Sequence, residues 1–372
     1  SIVSLILLRV IMGIAAGIFQ PSAVGLIKDG HPKNRIQLIG FVQAMFPVGG
    51  ILTPIVAGVL LYLNPFGLGW RYIFLINVPI GIITIVLALF FLKAQPSKEK
   101  VSLDIFGAAY FTLGILALML LFSVLGLLVK EEISIPIQYL GILGGVSFCF
   151  ISLFIYRELT VTNPIFDVHL IRHGPFLAAN IYNFFFGAGH FGLFSFIPRF
   201  AFLAYAMNEM QSSLILLPRT VPMLIFSLLA SVYIVRTGFR IPLISGLILV
   251  GGGLLLMSFK LEAPTLFSLE LSNFVLLGFP LMLTGIGMGM SSVASTNVAL
   301  DLMPDKVAEI TGLRGMFRNT GAVIGVTSAI FLSSLFDSEA VGLMKVFLIL
   351  GVITILLIPT VFQMPNRPLP NK

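Results

Sequence analysis

The residues able to do chemistry in this sequence are few, and two of them are charges inside long apolar runs. Arg9 is the single charge in the run 2–27, and Arg219 lies deep in a later run. A charge in a membrane-length apolar segment is costly and by default marks a substrate or ion pathway. We therefore interpret both as functional, with Arg219 able to attract an anionic substrate. The alternatives are that Arg9 extends to the outer membrane surface and that Arg219 pairs with Glu209 or a backbone carbonyl.

A polar stripe follows one face of the predicted helix 176–203. Asn180, Asn183, Gly187 and His190 fall within about 80° of each other at 100° per residue. Amides and an imidazole on one face of a membrane helix indicate a cavity wall, and a histidine can titrate near neutral pH. The other interpretation of His190 is a hydrogen-bonded packing residue.

Two further arginines, Arg314 and Arg318, lie four residues apart and so share one face of a helix. Asp301, Asp305 and Glu309 precede them and are candidate ion-pair partners. We interpret this group as a cytoplasmic gate or a structural cluster rather than a binding site.

Enzyme chemistry has no sequence support. The chain contains no H-E-x-x-H, P-loop or G-x-S-x-G motif and no metal-spaced His/Cys set. Its single cysteine, Cys149, cannot form a disulfide within the chain. We expect neither an enzyme nor a metal site.

The composition places the chain in a bilayer. Its 372 residues are 58% hydrophobic and 10% charged, against about 25% charged in average soluble domains. The net charge of +7 does not indicate nucleic-acid binding, because the basic residues fall in short loops rather than on one face.

Apolar runs of about 20 residues, the length that crosses a bilayer, recur along the whole chain. They predict eleven membrane-spanning helices and an all-α polytopic membrane protein. The predicted spans are 2–27, 36–61, 72–92, 105–127, 136–156, 176–203, 212–235, 241–259, 274–299, 310–335 and 342–362.

The basic residues are distributed unevenly between the two sets of alternate loops. Of the 22 Lys and Arg residues, 15 belong to one set, Arg314 and Arg318 included, whereas the other set holds only Arg71, Lys130, Lys260 and Lys345. Since cytoplasmic loops carry the excess of Lys and Arg, we predict a cytoplasmic C-terminus in the cytoplasmic (inner) membrane and residue 1 outside.

The segment 70–81 carries a recognisable signature. It contains Trp70, Arg71, Asn77, Pro79 and Gly81 in the pattern W-R-x-I-F-x-I-N-x-P-I-G. An indole and a cation suit the membrane interface, and we expect the polar and helix-breaking residues that follow to face other helices. The pattern resembles the sixth span of the fourteen-span drug:proton antiporters (EmrB/QacA type) of the major facilitator superfamily.

Three shorter stretches resemble motifs of the same superfamily. The segment around Arg9 resembles motif B, which implies a place for Arg9 in or beside the proton-coupling network. The segment 231–240 resembles a decayed copy of motif A, with Arg236, Gly238 and Arg240 matching and Val235 in place of the Asp. The stretch 49–58 resembles motif C, the antiporter motif; the other interpretation is an ordinary kinked packing helix. The positions that match motif C are Gly49, Thr53, Pro54, Ala57 and Gly58.

The resemblance implies a major facilitator fold divided into three parts. Residues 1–92 would be the C-terminal half of a first helix bundle, 93–175 two linking spans, and 176–372 a second six-helix bundle with a short tail. The eleven spans would correspond to spans four to fourteen, so we expect a chain without the first three. Arg9, Asn77 and the small-residue faces should then lack covering helices.

The function implied is proton-coupled efflux of hydrophobic or amphiphilic small molecules by alternating access. It needs no cofactor beyond the proton gradient, and its partners are a small-molecule substrate and lipid, with a periplasmic adaptor protein if the host is Gram-negative. The alternatives are a metabolite or anion carrier of the same superfamily and a non-transporting membrane scaffold or sensor.

The predicted orientation can be tested by thiol labelling in intact cells on a Cys149→Ser background. Cysteines introduced at 93–103 should be protected from an impermeant reagent, because the positive loops lie inside. Cysteines at 204–210 should be labelled. The reverse pattern would contradict the orientation.

Overall fold

The computed structural model is almost wholly helical in the part of the chain that it describes. That part comprises residues 2–30, 32–63, 67, 69–92, 104–129, 136–161, 164–165, 174–189, 194–260, 265–266, 269–270, 272–302 and 307–366. His190 and the 93–103 loop, both named above, lie outside it.

Six helices and two 3₁₀ turns are described in residues 2–161. The 3₁₀ turns cover Pro32–Asn34 and Gly69–Arg71. The helices are α1 (Ile2–Gly30), α2 (Arg35–Leu63), α3 (Tyr72–Leu75), α4 (Asn77–Phe91), α5 (Ile105–Val129) and α6 (Ile137–Thr160).

Nine helices and a minimal hairpin are described in residues 174–366. The strands β1 (Thr265–Leu266) and β2 (Leu269–Glu270) pair antiparallel. The helices are α7 (Gly174–Gly187), α8 (Ile197–Tyr205), α9 (Glu209–Leu214), α10 (Leu217–Thr237), α11 (Arg240–Ser258), α12 (Asn273–Leu302), α13 (Val307–Ser334), α14 (Glu339–Leu356) and α15 (Ile358–Val361).

Among the described residues, nine helical segments are long and apolar enough to cross a membrane. The remaining two predicted spans correspond to α13, which has 28 residues but is more polar, and to α7 with α8. The prediction of one continuous helix at 176–203 is wrong. Helix α7 ends at Gly187 and passes into a π-helical turn at 188–189, in a glycine-rich stretch that favours helix poorly.

Prolines explain two other interruptions within predicted spans. Proline cannot donate a backbone hydrogen bond, and its ring clashes with the carbonyl four residues earlier. Helix α3 ends at Leu75, four residues before Pro79, and α9 ends at Leu214, four residues before Pro218. The chain resumes as helix at once in both places, so each span is divided but not terminated.

The best-buried core lies within α8–α14. Phe200, Leu277 and Phe347 are fully buried in one cluster. The rings of Phe200 and Phe347 meet edge-on, with centroids 4.9 Å apart, an arrangement that stabilises by about 1 kcal/mol beyond area burial. A second cluster, around Phe239 and Leu243, packs α10 and α11 against α12.

Helices α1, α3 and α4 are apolar and largely uncovered. Val24 and Tyr72 are the only buried residues in the described ranges 2–27 and 72–91. Arg9 and Asn77 are exposed. The expectation that Asn77 and Pro79 face other helices is not met here, because both are exposed. The Asn77 side-chain amide, at the start of α4, instead donates to the preceding helix α3, to Ile73 O at 3.2 Å and Phe74 O at 3.3 Å.

An ion pair joins the start of α5 to the end of α6. Arg157 Nε donates to both carboxylate oxygens of the buried Asp104, at 2.7 and 2.8 Å. Burial raises the pKa of Asp104, but hydrogen bonds from the Gly107 amide and Arg157 outweigh it and leave this pKa lowered. The pair therefore holds the two helices together at the end where both approach the membrane boundary.

Small residues set the distance between α11 and α12. A Cβ added to Gly246 would lie 2.7 Å from the Gly287 carbonyl oxygen and 2.6 Å from Ser291 Cβ. Such close backbone approach is typical of helix packing in membranes.

This packing yields a matched prediction within one helix. Gly246→Ala should lower the free energy of unfolding by about 2 kcal/mol, because overpacking forces the backbones apart. Gly252→Ala is the control, since no atom lies within 4 Å of an added Cβ there. Thermal unfolding in detergent measures both, and equal midpoints would contradict the packing.

Candidate functional site

A cavity of about 160 Å³ lies between α2 on one side and α7, α10, α12 and α13 on the other. Its wall combines aromatic and aliphatic side chains with hydroxyls, amides and three guanidinium groups. The lining residues are Gln43, Phe46, Pro47, Gly50, Asn183, Phe186, Phe194, Arg219, Thr220, Met223, Ser292, Ser295, Thr296, Arg314 and Arg318.

Arg219 reaches the cavity from the first turn of α10 and is 3% exposed. Its Nη2 donates to Met288 Sδ at 3.0 Å. Its Cζ lies 4.7 Å from the centroid of the Phe194 ring, a cation–π contact. A soft acceptor and an aromatic face thus fix the side chain in position.

Arg314 and Asn183 tie three helices together at the cavity wall. Arg314 Nη2 donates to Ser295 Oγ of α12 at 2.9 Å and approaches Asn183 Oδ1 of α7 at 3.4 Å. In return, Asn183 Nδ2 donates to the backbone carbonyl of Arg314. Asn183 is 2% exposed, so its amide links α7 to α13 in a buried setting where such bonds are strong.

Arg318 connects the cavity to the first helix. Its Nη2 donates to Gln20 Oε1 of α1 at 2.6 Å. We expected Arg314 and Arg318 near the membrane boundary with Asp301 as a partner. They lie instead two to three turns inside α13, facing the cavity, and the ion pair described for Asp301 is with Arg35.

One end of the cavity region is held closed between α2 and α12. Gln43 Nε2 donates to Thr296 Oγ1 at 3.0 Å in a buried position. Arg35 Nη2 lies 2.5 Å from Asp301 Oδ1, with side chains 12% and 1% exposed. Arg35 begins α2 and Asp301 is the penultimate residue of α12. Each charge therefore opposes the dipole of its own helix, and each compensates the other.

The polar stripe of α7 is only partly at the cavity. Asn183 lines it, whereas Asn180 does not. The Asn180 amide is buried and donates to its own helix, to Phe176 O at 3.0 Å. His190 lies outside the described residues.

Arg9 lies away from the cavity. Its Cζ stands 5.1 Å from the centroid of the Phe74 ring, so it contacts α3 through a cation–π interaction. In the signature segment, Arg71 is exposed and Gly81 half-buried, and the side chain of Trp70 lies outside the described part.

The stretch 49–58, which resembles motif C, lies within α2. The helix continues through Pro54, Ala57 and Gly58, whose side chains are not described. Gly49 is exposed, and Thr53 Oγ1 donates to its carbonyl at 2.7 Å.

The segment 231–240, which resembles motif A, and the residues that follow α10 bind the C-terminal segment. Gly238 ends α10 with a φ of +80°, a conformation that favours glycine. The Phe239 amide donates to Asn366 O at 2.8 Å, and Arg240 Nη2 donates to Phe362 O at 3.0 Å. Arg236 is exposed.

Sequence reasoning missed two glutamines that take part in this arrangement, Gln20 and Gln43. Each is an amide within an apolar run, which in a membrane helix indicates contact with another helix. That signal was present in the sequence, but the partners, on α13 and α12, could not be read from it.

Comparison with known proteins gives a family. The model described as Major Facilitator Superfamily matches residues 1–218 and 179–372, which together cover the chain.

The relatives whose names state a function are distant in sequence. The chain is 26% identical to the Multidrug transporter protein MdtP of Bacillus subtilis over 88% of its own length and 58% of the relative's. It is also 26% identical to the Tetracenomycin C resistance and export protein of Streptomyces glaucescens (87% and 57%) and to Multidrug resistance protein 3 of Bacillus subtilis (87% and 60%). The chain thus spans less than two thirds of the length of these relatives.

The Arg35–Asp301 pair predicts an unusual rescue. Arg35→Asp alone should lower the free energy of unfolding by about 3 kcal/mol, because it buries like charges. The exchange Arg35→Asp with Asp301→Arg should restore stability, since each charge would then favour its helix dipole.

Denaturation by SDS measures these free energies. Glu339→Gln is the control, because it breaks the Arg199–Glu339 pair, whose side chains are 56% and 26% exposed; such a surface pair is worth about 0.5 kcal/mol. A double exchange no more stable than the single variant would contradict the pairing.

Proposed function

The chain belongs to the major facilitator superfamily, and on that premise we propose that it exports hydrophobic or amphiphilic small molecules by secondary active transport. The observation that carries the proposal is the cavity between α2 and the helices α7, α10, α12 and α13. An apolar wall with a few placed polar groups is the usual form of a small-molecule site. Relatives named for multidrug transport and for tetracenomycin C export support efflux.

Alternating access needs one end of the cavity to be closed while the other is open. In the proposed cycle, the Arg35–Asp301 and Gln43–Thr296 contacts form the closed end. The excess of Lys and Arg in one set of loops supports a cytoplasmic position for that end, with the C-terminus on the same side of an inner membrane.

We further propose that the protein is of the fourteen-span type, with α1 corresponding to the fourth span. The division into residues 1–92, 93–175 and 176–372 follows from that alignment. It is supported by the signature at Trp70–Gly81 and by the position of the cavity, which lies between the first and third parts.

Proton coupling is proposed to supply the energy, with no cofactor. Arg9 and His190 are the residues that we assign to it. Arg9 is a charge in an otherwise apolar helix, and such residues mark ion pathways.

Efflux of the neutral dye Nile red from cells that lack their own drug exporters tests the function. Cells expressing the protein should lose dye faster, and a protonophore should abolish the difference. Asn183→Ala should slow efflux about tenfold, because it removes a hydrogen-bond partner of a charged group, worth about 1.5 kcal/mol.

Asn180→Ala is the matched control, being equally buried in the same helix but bonded only within it; it should retain efflux within about twofold. No efflux from cells that express the wild-type protein would overturn the proposal. Efflux that survives the protonophore would overturn proton coupling. If the Arg9→Ala variant exported dye at the rate of the wild-type protein, Arg9 would not belong to the coupling network.

A further inference from the structure

We propose that the cavity selects molecules that carry an anionic group, such as a carboxylate, on an apolar body. This inference extends the proposed transport function by naming the chemical class of its substrate. It also makes a statement about binding that can be tested apart from transport.

The charge of the cavity wall is one-sided. Arg219, Arg314 and Arg318 all line it, and no Asp or Glu is among its described lining residues. The salt bridges found in the described part of the chain lie elsewhere, at Arg35–Asp301, Arg157–Asp104 and Arg199–Glu339. Three guanidinium groups around one small space therefore create a strongly positive potential there.

The contacts described for these groups are with neutral atoms. They include the thioether of Met288 for Arg219, the hydroxyl of Ser295 for Arg314 and the amide of Gln20 for Arg318. Such acceptors orient a guanidinium without cancelling its charge. The Nε of Arg314 is also buried and has no hydrogen-bond partner among the described residues, so this side chain keeps a donor for a ligand.

The arrangement suits an anion with an apolar body. Guanidinium forks bind carboxylates through paired charge-assisted hydrogen bonds, and Arg314 and Arg318 stand one helical turn apart on one face. Phe46 and Phe186 also line the cavity and supply apolar surface for the rest of the molecule.

The same wall disfavours cations. A cationic ligand would bring a fourth like charge into a confined space of low polarity, where repulsion is weakly screened. Selection here thus combines attraction of one charge with rejection of the other.

Three ligands that share one ring system test the inference: 2-naphthoate, 2-naphthamide and 2-naphthamidinium, with charges of −1, 0 and +1. Binding of each to the full chain is measured by equilibrium dialysis in nanodiscs of neutral phosphatidylcholine, with empty nanodiscs as the blank. The acid should bind at least about tenfold more tightly than the amide, and the amidinium more weakly than either. Equal affinities for acid and amide would overturn the proposal.

Variants locate the effect. Arg314→Gln and Arg219→Gln should each weaken binding of the acid about tenfold while changing binding of the amide by less than about twofold. The charge-conserving Arg314→Lys should keep the preference for the acid even if the glutamine variant folds poorly. Arg199→Gln, far from the cavity, should change neither affinity; a loss there equal to that in Arg314→Gln would overturn the assignment.

An anionic lipid headgroup offers the same chemistry as a free acid, so a further arm uses nanodiscs that contain phosphatidylglycerol. Competition with the acid would support the anion site and identify lipid as one occupant, whereas undiminished binding would identify the free acid as the preferred one. Nile red efflux without any preference for the acid would leave the transport function standing and sink this inference. Acid-selective binding without any efflux would support this inference and overturn the transport function.

Discussion

The contact of α2 with α10 and α12 is the constraint on which the site depends. Gly40 lets α2 approach Ser231 of α10 so closely that an added Cβ would overlap it, and Gln43 bonds Thr296 of α12 nearby. Between helices in lipid, close packing and hydrogen bonds replace the hydrophobic effect as the source of association. Since α2 supplies one wall of the cavity, the cavity exists only while these small and polar residues hold α2 in place.

The charges at the cavity wall have a cost that the surrounding packing must offset. Burying a guanidinium without a counter-ion is destabilising, and the contacts described for Arg314 are with a hydroxyl and an amide rather than with a carboxylate. Purely structural arginines would be more stable with acidic partners, as Arg157 has in Asp104. Residues that break local rules of stability are expected at functional sites.

Hydropathy was sufficient to predict the helices but not their rotation about their own axes. Apolar length locates a span because the bilayer fixes how many residues cross it, and prolines account for the breaks after Leu75 and Leu214. In lipid, however, apolar residues cover every face, so little in the sequence shows which side of a helix meets a neighbour. Asn180 and Asn183 therefore looked equivalent although only Asn183 reaches the cavity, and Arg314 looked like a boundary residue.

The closed end and the cavity are linked through helix termini. Arg35 and Asp301 each oppose the dipole of their own helix, so separating them leaves each charge unfavourably placed at its helix end. The pair is therefore either formed or broken, and the closed arrangement is a distinct state, as a two-state element requires. Asp301 lies on the same helix as Ser295 and Thr296, which bond Arg314 and Gln43. A ligand that draws on Arg314 would therefore act on the helix that carries the closing carboxylate, and the proposed site and the proposed gate would share α12 as their common moving part.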